Sequence, residues 1–216
     1  PPLRDVAPRS REPRARGAWP VVLVGPADNI GGGAPGDATT ILRMLVEEKF
    51  DNSAVVINDP DAVRLVSTHR PGDRLTLEVG GKGSRLTDGP MELDAELVST
   101  SDGRFELEDR NSHLASMHGV HIDMGRSAVI RSRGVTILLT SHKTPPFDLG
   151  QLRSQGIEPE KLSVIGVKAA VAHRRAYEKI QKVSYTVNTP GPCSSNVRRF
   201  DYRHVRRPIY PLDQAF

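Results

Sequence analysis

The sequence predicts a mixed α/β fold of the α+β kind: a β-α-β-α opening, a β-rich middle segment and a returning β-α unit. Three observations carry this. Short β-branched apolar runs alternate with helix-period segments up to residue 71. From Asp73 to Thr140 the period shortens to two and glycine-containing turns recur. After Asp148 short helical and apolar stretches return.

Residues 1–18 hold four prolines and five arginines (Arg4, Arg9, Arg11, Arg14 and Arg16) with little apolar content, and are expected to be disordered or to lie along another surface. The folded domain is expected over 19–216. Val21-Val22-Leu23-Val24, closed by Gly25-Pro26, reads as a buried strand. In 38–49, Ile41, Leu42, Leu45 and Val46 share one helical face, with Asp37 placed to cap the N-terminus. Residues 54–57 form a second buried strand, and 60–69 a helix stopped by Pro71-Gly72.

Residues 74–79, 91–98 and 104–108 alternate, and 127–131 and 135–140 are further strands. Gly80-Gly81-Lys82-Gly83, Asp88-Gly89 and Asp102-Gly103 suit antiparallel turns. A helix over 148–155 stops at Gly156, 163–167 is a short buried strand, 172–181 a helix and 183–187 a last strand.

Composition narrows the function classes. With 37% hydrophobic and 26% charged residues the chain is expected to fold, and no apolar run reaches the ~18 residues of a membrane span. Cys193 is the only cysteine, which rules out an internal disulfide and zinc sites built on several thiolates; cytoplasmic residence is expected. The basic excess lies in the first 18 residues and in Arg198, Arg199, Arg203, Arg206 and Arg207, and aromatics are only 5%. Nucleic-acid binding is therefore not expected.

The most informative segment is Asp28-Asn29-Ile30-Gly31-Gly32-Gly33-Ala34-Pro35-Gly36-Asp37, between a strand and a helix. Glycines there let backbone approach a ligand, and free amides at a helix start favour an anion. Gly31, Gly33 and Gly36 satisfy a dinucleotide fingerprint formally, but Gly31 lies several residues past the strand and Pro35 interrupts the turn. A Walker loop fails because Asp37 stands where Gly-Lys-Ser/Thr is needed. A tight turn capped by Asp37 is the plain alternative.

The string DNIGGGAPGDATTILRMLVE closely resembles the DNxGGGxPGD segment that opens the C-terminal domain of the microcystinase C (MlrC) family. Residues 124–131, LLTSHKTPPFD at 138–148, LRSQGIEP at 152–159, Val167-Lys168-Ala169-Ala170 with His173, Thr189-Pro190-Gly191-Pro192 and Arg207-Pro208-Ile209-Tyr210-Pro211 resemble its later segments in the same order. The resemblance implies a two-domain zinc metallopeptidase or related amidohydrolase acting on a peptide or amide; the namesake cleaves linearised microcystin. It implies that the zinc is carried on an N-terminal zinc-binding domain outside this chain, and that this chain alone is inactive. The glycine loop would close the cleft, with Asp28 orienting substrate and Asn29, Gly31, Gly32, Gly33 and Asp37 lining it.

Other chemistry is thinner. His113, His118 and His121 with Asp123 lack an HExxH pair and read as loop residues, so no metal ligand is assigned here. Lys168 at a strand end, with His173 and Arg174 at a helix start, forms either an anion pocket for a carboxylate or oxyanion, or a plain lysine–carboxylate pair. Cys193 follows Pro-Gly-Pro with no positioned histidine. An alternative function is a noncatalytic module holding an anion or nucleotide on the same loop. An apolar patch near 28–37 would favour self-association into a homo-oligomer.

Overall fold

A computed structural model describes residues 1–213. Among these residues ten strands and six α-helices occur, the expected elements in the expected order with α1, α4 and β6 added: α1 (Leu3–Ala15), β1 (Val21–Val24), α2 (Thr40–Glu47), β2 (Ser53–Asn58), α3 (Pro60–Val66), β3 (Arg74–Val79), β4 (Met91–Ser101), β5 (Arg104–Glu106), α4 (His113–His118), β6 (His121–Asp123), β7 (Ser127–Ser132), β8 (Val135–Thr140), α5 (Gly150–Arg153), β9 (Val164–Val167), α6 (Arg174–Tyr177) and β10 (Val183–Thr186). No helix among the described residues is long and apolar enough to cross a membrane.

Eight strands form one sheet in the order β10-β1-β9-β2-β8-β7-β4-β3. From β10 to β8 the pairing is parallel, and from β8 to β3 antiparallel. Strand β8 joins the halves, which is why 135–140 reads as a mostly apolar run rather than an alternating one. The pleat of β1 sends Val21 and Leu23 to one core, with α1, α2 and α3, and Val22 and Val24 to the other, with Leu152 of α5 and Tyr177 of α6. The β5–β6 hairpin adds Phe105 and Ile122 to this second core.

The first residues differ from expectation: 3–15 are helical, although Pro8 and Pro13 lie inside. The few apolar residues share one face, so Val6, Ala7 and Ser10 are buried while Arg4, Arg9 and Arg11 point out. Ser10 Oγ donates to the Val6 carbonyl at 2.9 Å, and the Arg11 guanidinium lies 4.7 Å from the Phe50 ring centroid. Mean composition hides such a face, which is why the expected alternatives, disorder or a course along another surface, did not include a helix.

Several helices are shorter than their patterns. Helix α2 begins at Thr40 with Thr39 at its N-cap, not Asp37, whose carboxylate is engaged elsewhere. Helices α5 and α6 occupy only the centres of 148–155 and 172–181. Helix α4 forms where a histidine loop was expected, because Ser112 caps it by accepting from Ala115 N–H at 3.1 Å.

The parallel half contains a topological switch. Strand β1 leads through α2 to β2, on the far side of β9; β9 leads through α6 to β10, on the far side of β1. The two helices cover opposite faces of the sheet. Neighbouring strands whose connections diverge leave a crevice beyond their carboxyl ends, where ligands bind in open α/β sheets.

Candidate functional site

The glycine loop emerges from β1 at that crevice. Its chain makes two short 3-10 turns, Pro26–Asp28 and Ile30–Gly32, and is turned back by Gly33 at φ 93°. Asp28 points into the protein rather than into the cleft. One carboxylate oxygen accepts from Gly36 N–H at 2.9 Å; the other accepts from Ala38 N–H at 2.7 Å and from Lys168 Nζ at 2.8 Å. Lys168, at the end of β9, also donates to the Ala38 carbonyl. The two side chains are only 5% and 4% exposed, so this is a buried pair tying the loop after β1 to the loop after β9. Of the two sequence-level alternatives for Lys168, the lysine–carboxylate pair is the one formed. The same geometry bears on the nucleotide alternative: the Gly36 and Ala38 amides, which a phosphate would need near α2, are already occupied by Asp28.

Asp37 anchors the other end of the loop. Its carboxylate accepts from Lys82 N–H at 2.7 Å and Gly83 N–H at 2.6 Å, and its carbonyl from Gly81 N–H at 2.7 Å. Asp59 joins the same bracket by accepting from Gly80 N–H at 2.8 Å and Lys82 Nζ at 2.7 Å. The Gly80-Gly81-Lys82-Gly83 turn thus grips the glycine loop as well as linking β3 to β4. Gly80 shows why no side chain fits: a Cβ there would lie 2.3 Å from the Asp37 carbonyl oxygen.

Above this braced base lies a cleft of about 490 Å³. Asn29, Ile30 and Gly31 form one wall, His113, Leu114, Met117 and His118 of α4 another, with Lys143, Pro145 and Phe147 after β8 and Ala170, Val171 and Ala172 after β9 completing it. Gly31 packs so closely that an added Cβ would meet the Phe147 ring at 2.8 Å. Met117 and Val171 are 60% and 61% exposed, large for apolar side chains, and the charged or titratable groups on the lining are Lys143 and the two histidines. The Asn29 carboxamide oxygen is buried with no partner among the described residues. Of the remaining loop candidates, Gly32 and Gly33 are exposed, and Gly32 carries Cys193 Sγ against its carbonyl at 3.4 Å.

His173 does not reach the cleft surface. It is 3% exposed, its Nδ1 has no partner among the described residues, and its ring stands 6.2 Å from that of Tyr177. Burial, with a smaller contribution from Arg174, pushes its pKa below the ordinary 6.5. Below pH 6.5 the unfolded chain therefore takes up a proton that the folded chain resists, and stability falls as the pH drops. His173→Gln is expected to flatten that acid-side slope in denaturant titrations run at a series of pH values; an unchanged slope would contradict it.

The wall segments are held from below by Asp148, whose carboxylate accepts from Gly150 N–H at 2.8 Å, Asp109 N–H at 3.1 Å and Glu108 N–H at 3.2 Å. Arg175 of α6 pairs with Asp109 and holds its carboxyl below the usual range. The contribution of α4 escaped the sequence reading, and its only signal there was Ser112 three residues before Ala115.

The donor set bears on a metal. Among the described residues no three or more His, Cys, Asp or Glu side chains converge as metal ligands. Asp28 and Asp37, the loop's carboxylates, are committed to internal hydrogen bonds. The cleft offers Asn29, His113, His118 and Lys143, which do not fit the three-ligand set of a catalytic zinc.

A family profile described as MlrC C-terminus matches residues 23–204. Microcystinase C of Sphingomonas sp. is 25% identical over 214 residues, 98% of this chain and 39% of that protein. A crystal structure described as a candidate metallopeptidase from Mesorhizobium sp. BNC1 superposes with a TM-score of 0.82 at 24% identity, over 97% of this chain and 41% of that one. At this identity the structural likeness concerns the fold. The chain therefore spans well under half the length of both relatives.

Proposed function

The chain belongs to the family of MlrC C-terminal domains, and from that membership we propose that it is the C-terminal part of a metal-dependent peptidase or amidohydrolase. Its metal, zinc by the family resemblance, is held by the N-terminal part outside this chain, because the donors at this cleft do not make up a ligand set. What this chain supplies is one side of the substrate cleft, and it is inactive by itself. The observation that carries this is the cleft at the β1/β9 switch point, with Asn29 and Gly31 on its lining and apolar Met117 and Val171 left open.

In this reading Asn29 is the loop's substrate contact. Its buried, unpartnered carboxamide oxygen accepts an N–H from a peptide or amide. Gly31 keeps the wall low where Phe147 approaches. Gly32 and Gly33 shape the turn, and Asp28, Lys168 and Asp37 position it from beneath. His173 supports the wall after β9. A cytoplasmic enzyme is the setting we infer.

Asn29→Ala and Gly31→Val, made in the longer enzyme containing both parts, are each expected to lower kcat/KM for a peptide substrate by ~10–100-fold while leaving the metal content unchanged. Wild-type kcat/KM in both variants would remove the loop from the substrate cleft.

A further inference from the structure

The open edge of the sheet carries a charge pattern that is complementary to itself. At the other end β10 is shielded: Tyr185 donates to the Arg9 carbonyl of α1, and Asn188 N–H donates to Pro1. Strand β3 has β4 on one side and, among the described residues, no strand on the other. Leu97 N–H donates to the Asp73 carbonyl across this pair. By the alternation of an antiparallel ladder, Leu75, Leu77 and Val79 bond to β4, whereas Arg74, Thr76 and Glu78 turn their backbone groups to the open edge.

The exposed side chains of those three residues extend cross-strand rows that end at the edge. One row runs Arg131, Glu96, Arg74, alternating in sign and ending positive. The middle row is Asp94 and Thr76, joined by a 2.6 Å hydrogen bond. The third is Glu92 and Glu78, two carboxylates directly opposite each other, neither with an ion-pair partner among the described residues. Like charges in that position are destabilising, and such a row lacks a cation at its open end.

We propose that β3 pairs antiparallel with β3 of a second copy, about a twofold axis at Thr76. Arg74 then lies opposite Glu78 of the second copy and Glu78 opposite its Arg74, so each positive-ended row meets a negative-ended one. On the inner face the partly buried Leu75 packs on the second copy's Leu77. Lys82 Nζ, which donates to the Glu78 carbonyl at 3.2 Å, occupies one lone pair of that oxygen and leaves the other for the incoming amide. With β10 covered, the twofold pairing uses up the open edge of each copy and closes at a dimer.

Sedimentation equilibrium of the full chain over a concentration series tests the pairing. A monomer–dimer equilibrium is expected. Arg74→Glu and Glu78→Arg should each weaken it by ~10-fold or more, since two symmetric pairs turn repulsive at once. The double variant R74E/E78R should restore dimerisation, and Thr76→Pro should abolish it, each with the circular dichroism of the parent. A chain that stays monomeric throughout, or a dimer that tolerates the single reversals, overturns the proposal.

Discussion

Lys168→Met is expected to destabilise the fold by about 3–5 kcal/mol, measured from the midpoint and slope of urea unfolding. The magnitude follows from burial. The Lys168 ammonium and Asp28 carboxylate are 5% and 4% exposed and 2.8 Å apart, so removing the cation strands a charge away from water. The two backbone amides that also donate to Asp28 soften this without replacing the cation. Adding Asp28→Asn to Lys168→Met should recover part of the loss, because the uncompensated charge disappears; the cycle should show a coupling of at least ~2 kcal/mol. A single-variant loss below ~1 kcal/mol would mean the pair is solvated and the loop is held by other contacts.

Gly80→Ala carries the second largest expected effect, a loss of ~3 kcal/mol or more. Gly80 has φ 64°, which an L-residue adopts only at a penalty, and its Cβ would lie 2.3 Å from the Asp37 carbonyl oxygen. Relief requires moving the turn off Asp37, which releases the Lys82 and Gly83 amides from its carboxylate and loosens the glycine loop. Gly33→Ala is the control: its φ is 93°, but a Cβ there would meet nothing within 4 Å, so only the conformational penalty of ~1 kcal/mol applies. Equal losses at the two positions would show that backbone strain alone matters and that the contact with Asp37 does not.

These residues also mark how far sequence alone reaches. The strands of the main sheet were legible because their periods differ: the buried runs at 21–24 and 164–167 stand in the parallel half, and the alternating 74–79 and 91–98 in the antiparallel half, whereas β6 was not. Helix α1 was not, because its core-facing side is only Leu3, Val6, Ala7 and a serine amid arginines. The glycine loop itself was legible between strand and helix, and it does line a crevice of the parallel half.

The direction in which its side chains point was not legible. Asp28 and Lys168 are 140 residues apart, and only the adjacency of β1 and β9 brings them together. Asp37 suits a helix cap by position, yet the 80–83 turn, more than forty residues later, takes its carboxylate. Pairings between distant loops are set by strand order, which short-range patterns do not encode. The same reason hid α4: its role as a cleft wall depends on the hairpin that carries it across the second core.

The most direct test of the split site is zinc content and peptidase activity of residues 1–216, alone and mixed with a microcystinase C-type N-terminal part. The expected result is a metal-free, inert chain whose mixture with that part cleaves peptide, with the cleavage weakened by Asn29→Ala. One equivalent of bound zinc and peptide hydrolysis by the chain alone would contradict it, and would turn attention to His113 and His118 on the cleft wall.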